Sequence, residues 1–164
     1  MKPDYRSSLG WTVCLFLFFI AGCATQATED GQAKDLAIIE SWSGDFPVAD
    51  LVVLPEGQSE SHAGYIDDQK AFAAVWRAFK PGEKVPTVDF KRNLVVFSRN
   101  VDFYNRTQIL KVTLNGGGAE ILAMETMSAM PIEDKVAMAL AVVPRAGVDF
   151  ILSGDGRVSV TDNR

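Results

Sequence analysis

The sequence predicts an α+β fold: an antiparallel β-sheet of about six to eight strands, with one main helix from about Asp67 to Phe79 packed on it. Three observations carry that expectation. One segment alone has helical periodicity, several segments alternate side-chain character between tight-turn dipeptides, and 164 residues at 48% hydrophobic and 23% charged suit a single compact core.

The helix rests on Phe72, Val75, Trp76 and Phe79, which fall at i, i+3, i+4 and i+7 and so line one apolar stripe. Pro81-Gly82 ends it, and Asp67 and Asp68 stand where a carboxylate caps free amides at the positive end of the helix dipole. Leu94 to Phe97 is a short apolar run of strand type. Leu110, Val112 and Leu114 alternate with Lys111 and Thr113 before Asn115-Gly116, and Ile121 to Met124 follows, which is a hairpin signature. Val136, Met138, Leu140 and Val142 alternate with Ala137, Ala139 and Ala141, so neither face of that strand is polar. It is expected at the centre of the sheet, covered on both sides, with the alanines toward the helix. Pro144 to Gly147 reads as a turn, Val148 to Leu152 as a strand, Gly154-Asp155-Gly156 as a tight turn and Val158 to Val160 as the last strand.

Ahead of the domain, Lys2 and Arg6 precede an apolar run from Trp11 to Ala21, the layout of an export signal. The run is shorter than the ~20 residues that span a bilayer as a helix. It ends Ile20-Ala21-Gly22-Cys23, which resembles the lipobox of bacterial lipoproteins. That resemblance implies a signal over 1–22, cleavage before Cys23, and acyl chains on the Cys23 thiol that hold the protein at a membrane. With Ala24 and not Asp after the cysteine, the sorting rule of enteric-type bacteria implies the outer membrane, with the domain in the periplasm. Residues 24–35 are small and polar, as suits a flexible tether, so 36–162 is expected to be one globular domain. Cys14 leaves with the signal and Cys23 is acylated, so on this reading the mature chain has no free thiol and no disulfide.

Two further blocks stand out: Gly64-Tyr65-Ile66-Asp67-Asp68 leading into the helix, and Pro86-Thr87-Val88-Asp89-Phe90 ahead of the Leu94 strand. Together they resemble the C-terminal domain of the protease complex subunit PrcB family, over roughly Ile66 to Ile151. The resemblance implies a non-enzymatic partner or stabiliser of an exported protease complex. Where that family commonly carries Gly-Gly-Tyr, this chain has Val101-Asp102-Phe103-Tyr104-Asn105-Arg106-Thr107. On the residues alone, Val88 and Phe90 share a face of an extended segment and Asp89 faces water or caps the turn that follows.

A net charge of −5 leaves no basic stripe for phosphates, so nucleic acid is not an expected partner. Ser59, Ser61 and His62 sit together in GQSESHAG, but a nucleophile elbow needs Gly where Ser61 stands, and the stretch reads as a solvated loop. Gly116-Gly117-Gly118 lies between strands and reads as a turn. Met124, Met127 and Met130, with Met138, form a methionine cluster that offers thioether ligands for Cu(I) or, more simply, adaptable core filling. Arg99, Phe103, Tyr104 and Arg106 are the candidate partner surface, since Arg and aromatic side chains are favoured in interface hot spots. The adjacent acids Asp67/Asp68 and Glu133/Asp134 diverge and do not face one reacting bond.

The reading that follows is a lipid-anchored binding or assembly module of the envelope, without catalytic residues, metal or cofactor. A small-ligand or metal-binding lipoprotein is the alternative, and a hydrolase using Ser59 or Ser61 with His62 is a third. The anchor itself is directly testable. Cys23→Ser is expected to leave an uncleaved, unacylated precursor, because a hydroxyl cannot take the thioether-linked lipid; intact mass decides it, and a wild-type chain without acyl mass would refute the anchor.

Overall fold

The computed structural model describes residues 33–100, 104–127, 129, 133–154 and 156–161, with Tyr104 and Asn105 described through their backbone. The expected export signal, Cys23 and residues 24–32 of the expected tether lie outside the described residues, as do Phe103 and Met130. In chain order the elements are β1 (Lys34–Leu36), β2 (Glu40–Pro47), a 3₁₀ segment (Val48–Val53), β3 (Ala63–Ile66), α1 (Gln69–Phe79), β4 (Asn93–Asn100), β5 (Tyr104–Asn115), β6 (Gly118–Met127), β7 (Lys135–Pro144), β8 (Phe150–Ser153) and β9 (Gly156–Ser159).

The class is α+β, but the strands form two sheets and not the single one expected, and there are nine of them among the described residues. One sheet has the order β2-β7-β4-β3, antiparallel throughout; the other has the order β1-β5-β6-β8-β9. Nor is the second sheet wholly antiparallel, since β8 runs parallel to β6 at Gly118 and Ala119. Short turns join neighbours in sequence, and so hid a chain that crosses between layers.

The four-stranded sheet is the middle of three layers. Its outer face packs on α1, where Phe46, Val95, Phe97, Val136, Met138, Leu140 and Val142 meet Phe72, Val75, Trp76 and Phe79. Its inner face packs on the five-stranded sheet, where Leu94, Val96, Ala139, Ala141 and Val143 meet Ile109, Val112, Ala119 and Ile151. β7 is therefore central and buried on both faces, as its pattern foretold. The alanines, however, face the second sheet and not the helix. Small side chains there let the two sheets approach closely, while the large ones fill the wider space under α1.

α1 starts one residue later than its expected cap pair suggested: Asp68 is the N-cap, its Oδ1 accepting from the amides of Lys70 at 2.7 Å and Ala71 at 2.9 Å. The stripe residues Phe72, Val75, Trp76 and Phe79 are all buried. Trp42 from β2 adds a ring edge-on to Trp76 at 5.1 Å between centroids, and Phe72 and Phe79 lie 5.7 and 6.0 Å from Trp76. The Trp76 indole N–H is buried without an acceptor, a cost of about 1–3 kcal/mol that this packing offsets.

The hairpin stands, with a two-residue loop at Gly116 and Gly117, whose φ values of 52° and 80° suit the primed turn that matches strand twist. The alternation through Leu110 does not stand. The register slips between Ile109 and Lys111, a β-bulge that turns Leu110 outward while Ile109 and Val112 point into the core. At the front, Lys34 and Asp35, assigned to the tether, pair with Leu114 and Thr113, so the folded domain begins before Leu36.

Trp76→Ala is expected to cost about 3–5 kcal/mol, since a large buried ring leaves a cavity that relaxes only partly. The denaturant midpoint reads it directly, and a domain of ordinary stability, about 5–15 kcal/mol, would lose much of its margin.

Candidate functional site

The blocks singled out in the sequence prove to be scaffold. Gly64 approaches Gln58 and Phe97 so closely that an added Cβ would lie 2.5 Å from Phe97 Cζ, which restricts the position to glycine. Tyr65 carries its hydroxyl to the end of the chain, donating to the Ser159 carbonyl at 3.0 Å and accepting from the Thr161 amide at 3.0 Å. Asp89 caps the turn it precedes: Oδ1 accepts from the Lys91 amide at 3.2 Å and Oδ2 from Arg92 Nε at 2.7 Å. The Arg92 guanidinium holds the Asp89 carboxyl below its usual range.

Arg99, expected on a partner surface, is buried, with only 5% exposed. Its Nε donates to the Ser61 carbonyl and its Nη2 to the Ser59 carbonyl, both at 2.6 Å, and its amide donates to the His62 carbonyl at 2.8 Å. Desolvation lowers its pKa from the ordinary arginine value, and Glu60 opposes that shift. A strand-end alternation cannot reveal this, because the acceptors are backbone carbonyls of a loop nearly forty positions away. The Ser59–His62 stretch is thus clamped from beneath while the His62 side chain is exposed.

The methionines divide. Met138 is fully buried under α1, whereas Met124 stands on the outer face of β6, Met127 is exposed at the end of that strand and Met130 lies outside the described residues. Core filling therefore describes Met138 alone, and Met138 is separated from Met124 by the sheets between them. Among the described residues, no group of three or more His, Cys, Asp or Glu is placed to hold a metal ion.

What sequence reasoning missed is an apolar band on the solvent face of the β5–β6 arm. Leu110 is 50% exposed, Leu122 56% and Met124 47%. The register makes them neighbours, since Lys111 pairs with Leu122 and Gln108 with Met124; Met127, 70% exposed at the end of β6, falls on the other face by alternation. Arg106, of the expected partner surface, is exposed and pairs with Thr126 on the same face; Phe103 and the Tyr104 side chain lie outside what is described. The bulge is the cause, since without it Leu110 would share the buried face of Val112. The signal in the sequence was the alternation of Leu122 and Met124 with Ala123 and Glu125, in which the larger apolar residues take the outer side.

Elsewhere, a cleft of about 650 Å³ lies beside the start of α1, floored by Val88 and Phe90 and edged by Asp67, Asp68, Lys91 and Arg145. Among the described residues no helix is long and apolar enough to cross a membrane. No family model, curated protein or solved structure matches the chain.

Arg99→Ala strands the Ser59 and Ser61 carbonyls, and charge-assisted hydrogen bonds of this kind are each worth about 1.5–3 kcal/mol. A stability loss of at least about 1.5–3 kcal/mol, read from the denaturant midpoint and slope, is expected, with Arg99→Lys recovering only part of it, because an ammonium lacks the fork that reaches both carbonyls.

Proposed function

We propose that this chain is a lipid-anchored, non-enzymatic binding module of the cell envelope, tethered through Cys23, that docks a protein partner on the outer face of its β5–β6 arm. The carrying observation is the exposed band of Leu110, Leu122 and Met124. A contiguous apolar face costs solubility, and a rim of polar and charged residues, here Arg106, Gln108, Lys111 and Glu120, is the usual build of a docking surface. Methionine adds adaptability, because its unbranched side chain repacks against different partner contours.

The lipobox supports the anchor, and the PrcB-like blocks support an exported protease complex as the partner. Those blocks sit in the scaffold around α1, on the far side of the middle sheet from the arm, so the docking face is this chain's own feature within that reading. A small-ligand reading has one observation in its favour, the cleft floored by Val88 and Phe90, whose apolar base and mixed-charge edges suit a compact amphiphile.

The test is capture from crosslinked membranes. The full chain is expected to bring down a reproducible envelope protein, and the double variant Leu122→Ser/Met124→Ser to lose it. Both positions are exposed, so the variant's stability should stay within about 0.5 kcal/mol of wild type. Equal capture by both proteins would remove the arm from the proposal.

A further inference from the structure

β6 has an open edge. On one side it pairs with β5 along its length, but on the other β8 meets it at Gly118 and Ala119 alone. The tight loop at Gly116 and Gly117 closes the narrow pair Asn115–Gly118, so alternation directs the peptide groups of Gly118, Leu122 and Met124 toward β5. The bulge adds its extra residue to β5 and leaves this phase on β6 unchanged. The N–H and C=O groups of Ile121, Ala123 and Glu125 therefore point to the open edge.

We infer that a second copy of this chain pairs with that edge, antiparallel, across a two-fold axis at Ala123. Edge-directed residues must face one another in such a pair, which limits the register to steps of two. With Ala123 opposite its own counterpart, Ile121 exchanges hydrogen bonds with Glu125 of the second copy. On the outer face Leu122 then meets Met124 of the second copy, twice by symmetry, and Glu120 meets Thr126. Moving one step sets Met124 against Glu120; moving the other way separates Leu122 from Met124. The Ala123 register alone gives all four of these apolar side chains an apolar partner.

Charge selects the same occupant. Arg106 lies across Thr126 in the strand pairing, and neither Arg106 nor Glu120 has a side-chain partner among the described residues. In the paired form Arg106 of one copy reaches over the small Thr126 toward Glu120 of the other. Adjacent strands are about 4.8 Å apart, so the two Cα atoms are separated by about 10 Å, a span that an arginine and a glutamate bridge together. An edge of this composition is complementary to itself, which is what an isologous dimer needs. Pairing edge to edge also leaves the outer face uncovered, and joins two apolar bands into one platform. The inference shares the arm with the proposed docking face but stands on the edge of β6.

Sedimentation of the mature lipidated chain in detergent tests it. A concentration-dependent dimer is expected for wild type and a monomer for Ala123→Pro, since proline is tolerated where the N–H faces outward from an edge. Arg106→Glu should weaken dimerisation roughly tenfold, and Arg106→Glu/Glu120→Arg should restore it, which decides the matter should the proline variant not fold. Opposed non-hydrogen-bonded residues lie about 4.5 Å apart at Cα, within disulfide reach. Leu122→Cys protein mixed with Met124→Cys protein should therefore crosslink, and neither alone, since the lipidated chain has no other free thiol. A wild-type monomer at all concentrations, or crosslinking of Leu122→Cys with itself, overturns the inference. A monomer that still captures an envelope protein leaves the docking face intact, whereas a dimer that captures none refutes the docking face and not the pairing.

Discussion

Everything in this domain depends on a sheet whose two central strands meet water on neither face. β4 and β7 pair along their full length at its centre, and every residue from Leu94 to Arg99 and from Val136 to Val143 is buried. A strand so placed cannot alternate apolar with polar. It alternates large with small instead, and the difference in size sets the spacing of the layers. Val136, Met138, Leu140 and Val142 hold α1 at the distance that five aromatic rings fill, while Ala137, Ala139 and Ala141 bring β5 close on the other side. Reversing β7 by one residue would press methionine and leucine into the narrow gap and leave alanine beneath the tryptophans.

This dependence explains what was legible in the sequence. α1 was, because Phe72, Val75, Trp76 and Phe79 face one layer and show an undiluted period. So were β7's central place and the Gly116-Gly117 turn, since each follows from a local pattern. The second sheet was not, because nothing in Leu94–Phe97 or Val136–Val142 says what lies above each face. β2 went unseen for a related reason: Trp42 and Phe46 face α1, while Ser41, Ser43 and Asp45 face away from it, and Gly44 interrupts the apolar series where Lys80 and the Phe79 ring pass overhead. The candidate site was legible in part. Arg106 is on the docking face, but Arg99 depends on carbonyl acceptors that only the tertiary fold supplies, and the outward turn of Leu110 depends on a bulge that has no residue signature of its own.

An open strand edge is hazardous, and the other edges show how the fold deals with the hazard. On β3 the amide of Ala63 donates to Ser153 Oγ at 3.1 Å and that of Tyr65 to the buried Gln58 side chain at 2.8 Å, so both outward donors are plugged. On β2 the Lys80 ammonium donates to the Ser43 carbonyl at 3.0 Å, a charge posted on the edge. β1 and β9 are three and four residues long, too short to template another strand. On the far half of β6 the outward peptide groups of Ile121 and Ala123 have no strand beside them among the described residues, and the stretch carries the exposed side chains of Leu122 and Met124. The molecule guards these edges by three different means, whereas the stretches of β5 and β6 that run beyond their short partners β1 and β8 have no neighbouring strand among the described residues, and the inferred pairing uses the one on β6.

The proposed anchor changes what affinity such an edge requires. Free in solution, a strand pair of a few residues with four apolar side chains gains little beyond the translational and rotational freedom it surrenders. Confinement by lipid to one leaflet removes part of that cost in advance and raises the effective concentration of one copy for another, as a short tether does. β1 enters the fold beside Leu114, at the turn end of the arm, while the edge from Ile121 to Glu125 lies farther along the strand and away from the point where the proposed anchor would join. Weak pairing then suffices, and the platform it assembles presents both apolar bands to a partner at once, so that modest contacts on each band add to an avidity neither copy has alone.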